Sequence, residues 1–244
     1  MNGLDTRPLW LVPVLALLAW PLVLASGSSS ATWVTLTVAG LAMGMIIFVI
    51  ASGLTLVFGL MDVLNFGHGV FIALGAFVAT SVMAGLADWT GSASLSHNLW
   101  AVFCAMAVAM AVAAAVGLAF ERFIVRPVYG QHLKQILITM GGMIMGEELI
   151  KVIWGPQQIP LPLPEGLRGA WLWGDAAVEK YRVLAVGVGL VIFGLLGYVL
   201  NRTKIGLLIR AGVQDREMVE SLGYRIRRLF VGVFVAGSAL AGLG

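Results

Sequence analysis

Charge is scarce in this chain and cysteine nearly absent. Only 11% of its 244 residues are Asp, Glu, Lys or Arg, against 60% hydrophobic residues. A water-soluble domain of that length could not cover itself with so little polar surface. The single cysteine, Cys104, excludes a disulfide framework or a cysteine metal cluster built from this chain alone, and its small-residue apolar surroundings assign it to packing. No run of ~10 residues alternates in polarity, which excludes a membrane barrel. A Gly-rich phosphate loop ending in Gly-Lys-Ser/Thr is also missing, so the chain is not expected to hold ATP. Paired carboxylates, a nucleophile with its base and a metal cluster are equally absent from the pattern, so no enzyme, cofactor or metal site is expected, and no nucleic-acid partner.

What is present is apolar sequence in long runs, at about 9–25, 31–57, 69–86, 99–119, 136–153, 183–200 and 229–244. Most approach the ~20 residues that carry a helix across ~30 Å of hydrocarbon. The fold class is therefore all-α, a polytopic membrane helix bundle of about seven spans forming one domain over 1–244. Arg7, Arg122, Arg126, Lys134, Arg202, Lys204, Arg210, Arg216, Arg225, Arg227 and Arg228 gather on one side of this map, which places them and the amino terminus inside. Loops 26–30, 87–98 and 154–182 then lie outside, with only Arg168, Lys180 and Arg182. The first run is longer than a signal-peptide core and is read as a retained helix. Loop 154–182, rich in Pro and Trp, reads as a stiff outer cap with aromatic residues at headgroup level rather than a second domain.

One segment departs from the pattern of spans and polar loops. Residues 53–77 form a hydrophobic hairpin whose turn, around Asp62, Asn65, Gly67, His68 and Gly69, holds no Lys or Arg. Such a turn suits a discontinuous helical hairpin lining a cavity, where free backbone groups find partners. Gly67 and Gly69 would permit unusual backbone conformations and close approach, and Asn65 and His68 could satisfy amides at the start of the next helix. A zwitterionic solute could place its carboxylate at those amides. Asp62, Asn65 and His68 could equally do no more than tie down a tight turn. Elsewhere, Glu147 and Lys151 are spaced for an i, i+4 ion pair, leaving Glu148 as the one carboxylate open to a proton relay. Small residues recur every fourth position at Gly40/Gly44, Gly142/Gly146 and Gly237/Ala241, as closely packed helices require.

In the loop 201–228, Asp215 is placed to cap a short helix and Gly223 to end it. That helix would present Met218, Val219 and Leu222 on one side. With so little apolar surface it should dock on something, a partner protein or lipid headgroups.

Three stretches carry a family resemblance: Gly53 to Phe77 with its Asn65-Phe-Gly-His68-Gly69 core, Glu121-Arg122 with Arg126-Pro127, and Arg210 through Gly223 followed by Phe234 to Gly242. Together they resemble, in order, the inner-membrane permeases of branched-chain amino acid ABC transporters. The resemblance implies a multi-pass protein of the bacterial inner membrane without an ATP site of its own. Its partners would be two cytoplasmic ATPase subunits that bind the ATP, a second homologous permease, a periplasmic solute-binding protein and membrane lipid. Asn65, Gly67, His68 and Gly69 then belong to the pathway, and Asp215, Met218, Val219, Leu222 and Gly223 to the helix that contacts the ATPases. Val70 stands where family members commonly have Glu, and the family continues through further membrane segments past the point matching Gly244. Permeases for urea or short amides share much of the hairpin and are the alternative, with an ion-coupled carrier or channel behind them.

Overall fold

A computed structural model describes residues 7–27, 29–61 and 63–244. Asp62, one of the expected pathway residues, lies outside the described residues. Each apolar run closes its own backbone hydrogen bonds as a helix, the only economical choice where water is missing. In chain order the helices are α1 (Arg7–Ala25), α2 (Ser30–Met61), α3 (His68–Gly85), the single turn α4 (Ala87–Thr90), α5 (Leu95–Phe120), α6 (His132–Trp154), α7 (Lys180–Arg202), α8 (Lys204–Gln214), α9 (Arg216–Ser221) and α10 (Ile226–Leu243).

Five of these are long and apolar enough to cross a membrane: α2, α3, α5 with its continuation to Val128, α7 and α10. The expected count of seven is not confirmed. Helix α1 contributes a shorter apolar stretch among the described residues, Pro13–Ala25. Helix α6 carries Lys134, Glu147, Glu148 and Lys151, too many charges for its length.

Helix α10 runs through the middle of the bundle and is wrapped by α2, α3 and α5. Glycines make this possible. A methyl group on Gly53 would lie 2.4 Å from Gly237 O, one on Gly75 2.0 Å from Gly242 O, and one on Gly117 2.4 Å from Ser238 Oγ. Of the small-residue pairs expected from the sequence, Gly142 packs on Phe120, Gly146 on Val70 and Gly237 on Gly53, whereas Gly40 and Gly44 face open space and pack on nothing. One core cluster joins Val63, Val125, Val219, Ile226, Phe230 and Phe234, so the end of α2, the end of α5, α9 and the start of α10 share an apolar centre at one end of the bundle.

The opposite end is covered by residues 155–179. They hold the only strands among the described residues, an antiparallel hairpin of β1 (Ala170–Trp173) and β2 (Ala176–Glu179). This hairpin qualifies the all-helical expectation. It forms because Gly174, at φ +61°, supplies the left-handed turn, and because Ala176 and Val178 of β2 are buried while their neighbours face out. Asn98, fully buried, ties the loop to α5: its Oδ1 accepts from Gly166 N–H at 3.2 Å, and its Nδ2 donates to Ser94 O at 2.6 Å.

Candidate functional site

Helix α2 continues unbroken for 32 residues, so the discontinuity falls wholly between it and α3. Residues 63–65 have no regular structure and 66–67 form a turn. Asn65, buried, closes this bend as an Asx turn, its Oδ1 accepting from Gly67 N–H at 3.0 Å. His68 does not cap α3. Its Nε2 lies 3.3 Å from Ile50 O, in the middle of α2, and so ties the two arms of the hairpin together. Two polar atoms here, Asn65 Nδ2 and His68 Nδ1, are buried with no hydrogen-bond partner among the described residues, a costly state that marks a site of contact or exchange.

Of the two expected reasons for the glycines, an unusual backbone holds at neither, and close approach holds at Gly67 alone. Gly67 sits at φ −71°, open to any residue, and Gly69 has no left-handed backbone either. Gly67 is needed for space, because a methyl group there would lie 2.6 Å from Phe120 Cζ, while Gly69 faces open room. Around Gly67, Phe71, Phe120 and Phe234 pack with ring centroids 5.6 to 6.3 Å apart, a rigid apolar collar.

What holds the bend from outside has no local signature in the amino-acid sequence. Thr139 of α6, fully buried, accepts the Phe66 N–H at 3.3 Å, and its hydroxyl lies 3.3 Å from Leu64 O and 2.6 Å from Gln135 O. One turn earlier, Gln135 Nε2 donates to Val128 O at 3.2 Å. Beyond it, Tyr129 donates to the buried Glu121 at 2.7 Å. A lone Thr or Gln in an apolar run carries no local signal of such a task.

One turn past His68 on α3, a cavity of about 330 Å³ opens between α2, α3, α5 and α7. Val49, Ile72, Ala76, Met106 and Val188 line it, Thr80 and Tyr181 add hydroxyls, Ile159 and Leu161 of the covering loop border it, and Gly242 to Gly244 reach it. Its size lies at the lower end of small-ligand sites. None of Asn65, Gly67, His68 or Gly69 is among its lining residues, so the bend adjoins the cavity rather than forming its wall. A larger apolar groove of about 830 Å³ runs between α5 and α7.

At the bend's end of the bundle, α9 stands as a knob six residues long. Asp215 caps it, accepting from Met218 N–H at 2.9 Å, and Gly223 ends it at φ +85°. The expected common face splits. Val219 is 2% exposed and roots the helix in the core, while Met218 and Leu222 are 48% and 67% exposed and point away.

Two further expectations change. Lys151 pairs with Glu148, at 2.7 Å, instead of Glu147: the i, i+3 contact is reached and the carboxylate proposed for proton relay is an exposed partner of a cation. Among the described residues no cluster of His, Cys, Asp and Glu is placed to hold a metal ion. His97 stacks on Trp89, centroids 5.9 Å apart, and His68 packs edge-on to Phe71.

Residues 36–244 match the family described as branched-chain amino acid transport system / permease component. The chain is 29% identical over 211 residues to the high-affinity branched-chain amino acid transport system permease protein BraD of Pseudomonas aeruginosa. It is 26% identical over 209 residues to permease protein LivH of Salmonella typhimurium and 25% over 208 to that of Escherichia coli K12. Each alignment takes in 83% of this chain and 66% of the relative; the chain thus spans just under two thirds of the length of these curated relatives. No solved structure matches it.

Proposed function

We propose, because this chain belongs to the family of branched-chain amino acid transport permease components, that it provides part of the membrane pathway of an ATP-driven importer of branched-chain amino acids in the bacterial inner membrane, with its amino terminus in the cytoplasm. A second permease would complete the pathway, a periplasmic binding protein would deliver the solute, and two cytoplasmic ATPases would supply the energy. The relatives' printed names give the solute class for those proteins. The apolar lining of the cavity suits the branched side chain of such a solute.

The observation that carries the reading is the construction of α9. Val219 is embedded in the same core as Val63 at the start of the bend, and Met218 and Leu222 are left outside as an apolar handle. A partner gripping that handle moves Val219, and Val219 moves the packing beneath the bend. Asp215 and Gly223 define the ends of the handle. Closure of an ATPase pair would favour whichever bundle conformation its contacts fit better, which is all that ligand-driven alternating access requires. Asn65, Gly67, His68 and Gly69 form the constriction that responds, and Asp62 adjoins them in sequence.

The test is uptake of labelled leucine into vesicles holding this chain with its ATPases, second permease and binding protein. Uptake should require ATP and disappear without the ATPases. Accumulation driven by a proton or sodium gradient alone contradicts the reading.

A further inference from the structure

We infer that a polar track running from Glu121 through Tyr129, Val128 and Gln135 to Thr139 fixes the bend at 64–66 relative to the irregular end of α5, making Tyr129 and Thr139 positioning residues of the transport cycle. The inference rests on the proposed function for its role in transport, and on hydrogen bonds alone for its existence.

The track begins where α5 ends. There the helix widens into a π turn (Glu121–Val125) and then tightens into a 3₁₀ turn (Arg126–Val128), an irregularity that needs a cause. Glu121 supplies one, since it is a carboxylate only 1% exposed, held by the Tyr129 hydroxyl across this turn at 2.7 Å. Burial raises the Tyr129 phenol above its ordinary value, and its bond to Glu121 adds to that, with Arg126 and Arg227 acting in the opposite sense. The phenol therefore remains a donor under all physiological conditions. Val125, in the same π turn, shares the core with Val219 of α9 and Ile226 at the start of α10.

From the 3₁₀ turn the track passes to α6 by the Gln135 bond to Val128 O, 3.2 Å. From Gln135 it moves one helical turn to Thr139, whose hydroxyl lies 2.6 Å from Gln135 O. Thr139 then receives the Phe66 amide and reaches Leu64 O. The early junctions are local, between the end of α5 and the start of α6, and the last one, from Thr139 to residues 64 and 66, joins segments distant in sequence. Buried polar chains are stiff because breaking any member leaves its neighbours unpaired. A displacement of the end of α5, whose Val125 packs in one core with Val219 and Ile226 of the α9–α10 elbow, would thus arrive at the bend as a shift of Thr139. The same arrangement explains why α6, with its charges, is held against the hairpin: its buried polar residues face it.

Physical continuity alone does not prove coupling, so the test has two arms. Amide hydrogen exchange of the full chain in lipid nanodiscs is compared among the wild type, Tyr129→Phe, Gln135→Met and Thr139→Val. Tyr129→Phe should accelerate exchange at Phe66 and Gly67 by about fivefold, the order expected when one net hydrogen bond is lost along a connected path. Acceleration confined to residues 121–131 overturns the inference. In the assembled transporter, Tyr129→Phe and Thr139→Val should at least halve the solute moved per ATP hydrolysed while ATPase binding is unchanged, and Thr139→Ser should restore it. An unchanged ratio in both variants also overturns the inference. If the wild-type chain recruits no ATPase, the functional reading fails, and the exchange arm still decides whether the track exists.

Discussion

The Thr139 hydroxyl accepts the Phe66 amide at 3.3 Å across a gap of 73 residues in sequence, so a single side chain of α6 fastens the bend that separates α2 from α3. Replacement by Val keeps the shape and removes the acceptor. Thr139→Val should cost about 1–3 kcal/mol, the range for a buried polar group left without its partner. Thermal unfolding in detergent should show the loss, and Thr139→Ser should keep most of the stability.

Glycines at the centre of the bundle should differ sharply in tolerance. Gly75→Ala would drive a methyl group to 2.0 Å from the Gly242 carbonyl oxygen, backbone that cannot step aside without separating α3 from α10. Gly69→Ala meets nothing within 4 Å. The first should destabilise by about 3 kcal/mol or fail to fold, as overpacking does at a fixed contact, and the second should be near neutral. Melting temperatures of the two variants in the same detergent check this.

The α9 knob depends on its ends. Asp215→Ala removes the acceptor for Met218 N–H and should cost about 1 kcal/mol of local helix stability. Gly223→Ala forces a side chain into φ +85° at a cost of about 1–2 kcal/mol. Faster proteolysis within 216–221, with the rest of the bundle intact, is the expected readout, while Asp215→Asn should behave as wild type.

These three cases show what was legible in the sequence. Asp215 and Gly223 were readable because capping is local: a few residues contain the whole cause. The division of labour within α9 was not, since Val219 points inward only because α10 and the end of α2 lie beside it, and no spacing rule contains that packing. The seven apolar runs located the seven long helices, yet the charges in α6 set it apart from the five that satisfy the requirement for crossing. The hairpin was visible as a charge-free turn, but the reason for Gly67 lies in Phe120, 53 positions away by sequence number. Thr139, which holds the bend, and Gln135 one turn before it lie in a largely apolar helix whose sequence carries no sign of their contacts. Their task is long-range and therefore silent in one dimension.

The exposed pairing of Glu148 with Lys151 predicts that Glu148→Gln leaves uptake, and its dependence on external pH, unchanged. Loss of transport in that variant, with the protein folded, would assign the carboxylate a part in moving protons.

Co-purification of this chain with its ATPase subunits tests the central claim most directly, comparing the wild type with a Met218→Asp/Leu222→Asp double variant. Both side chains are exposed, so the variant should fold normally. It should lose the ATPases by at least tenfold in affinity. Retention of the ATPases at wild-type affinity by the charged variant would contradict the account.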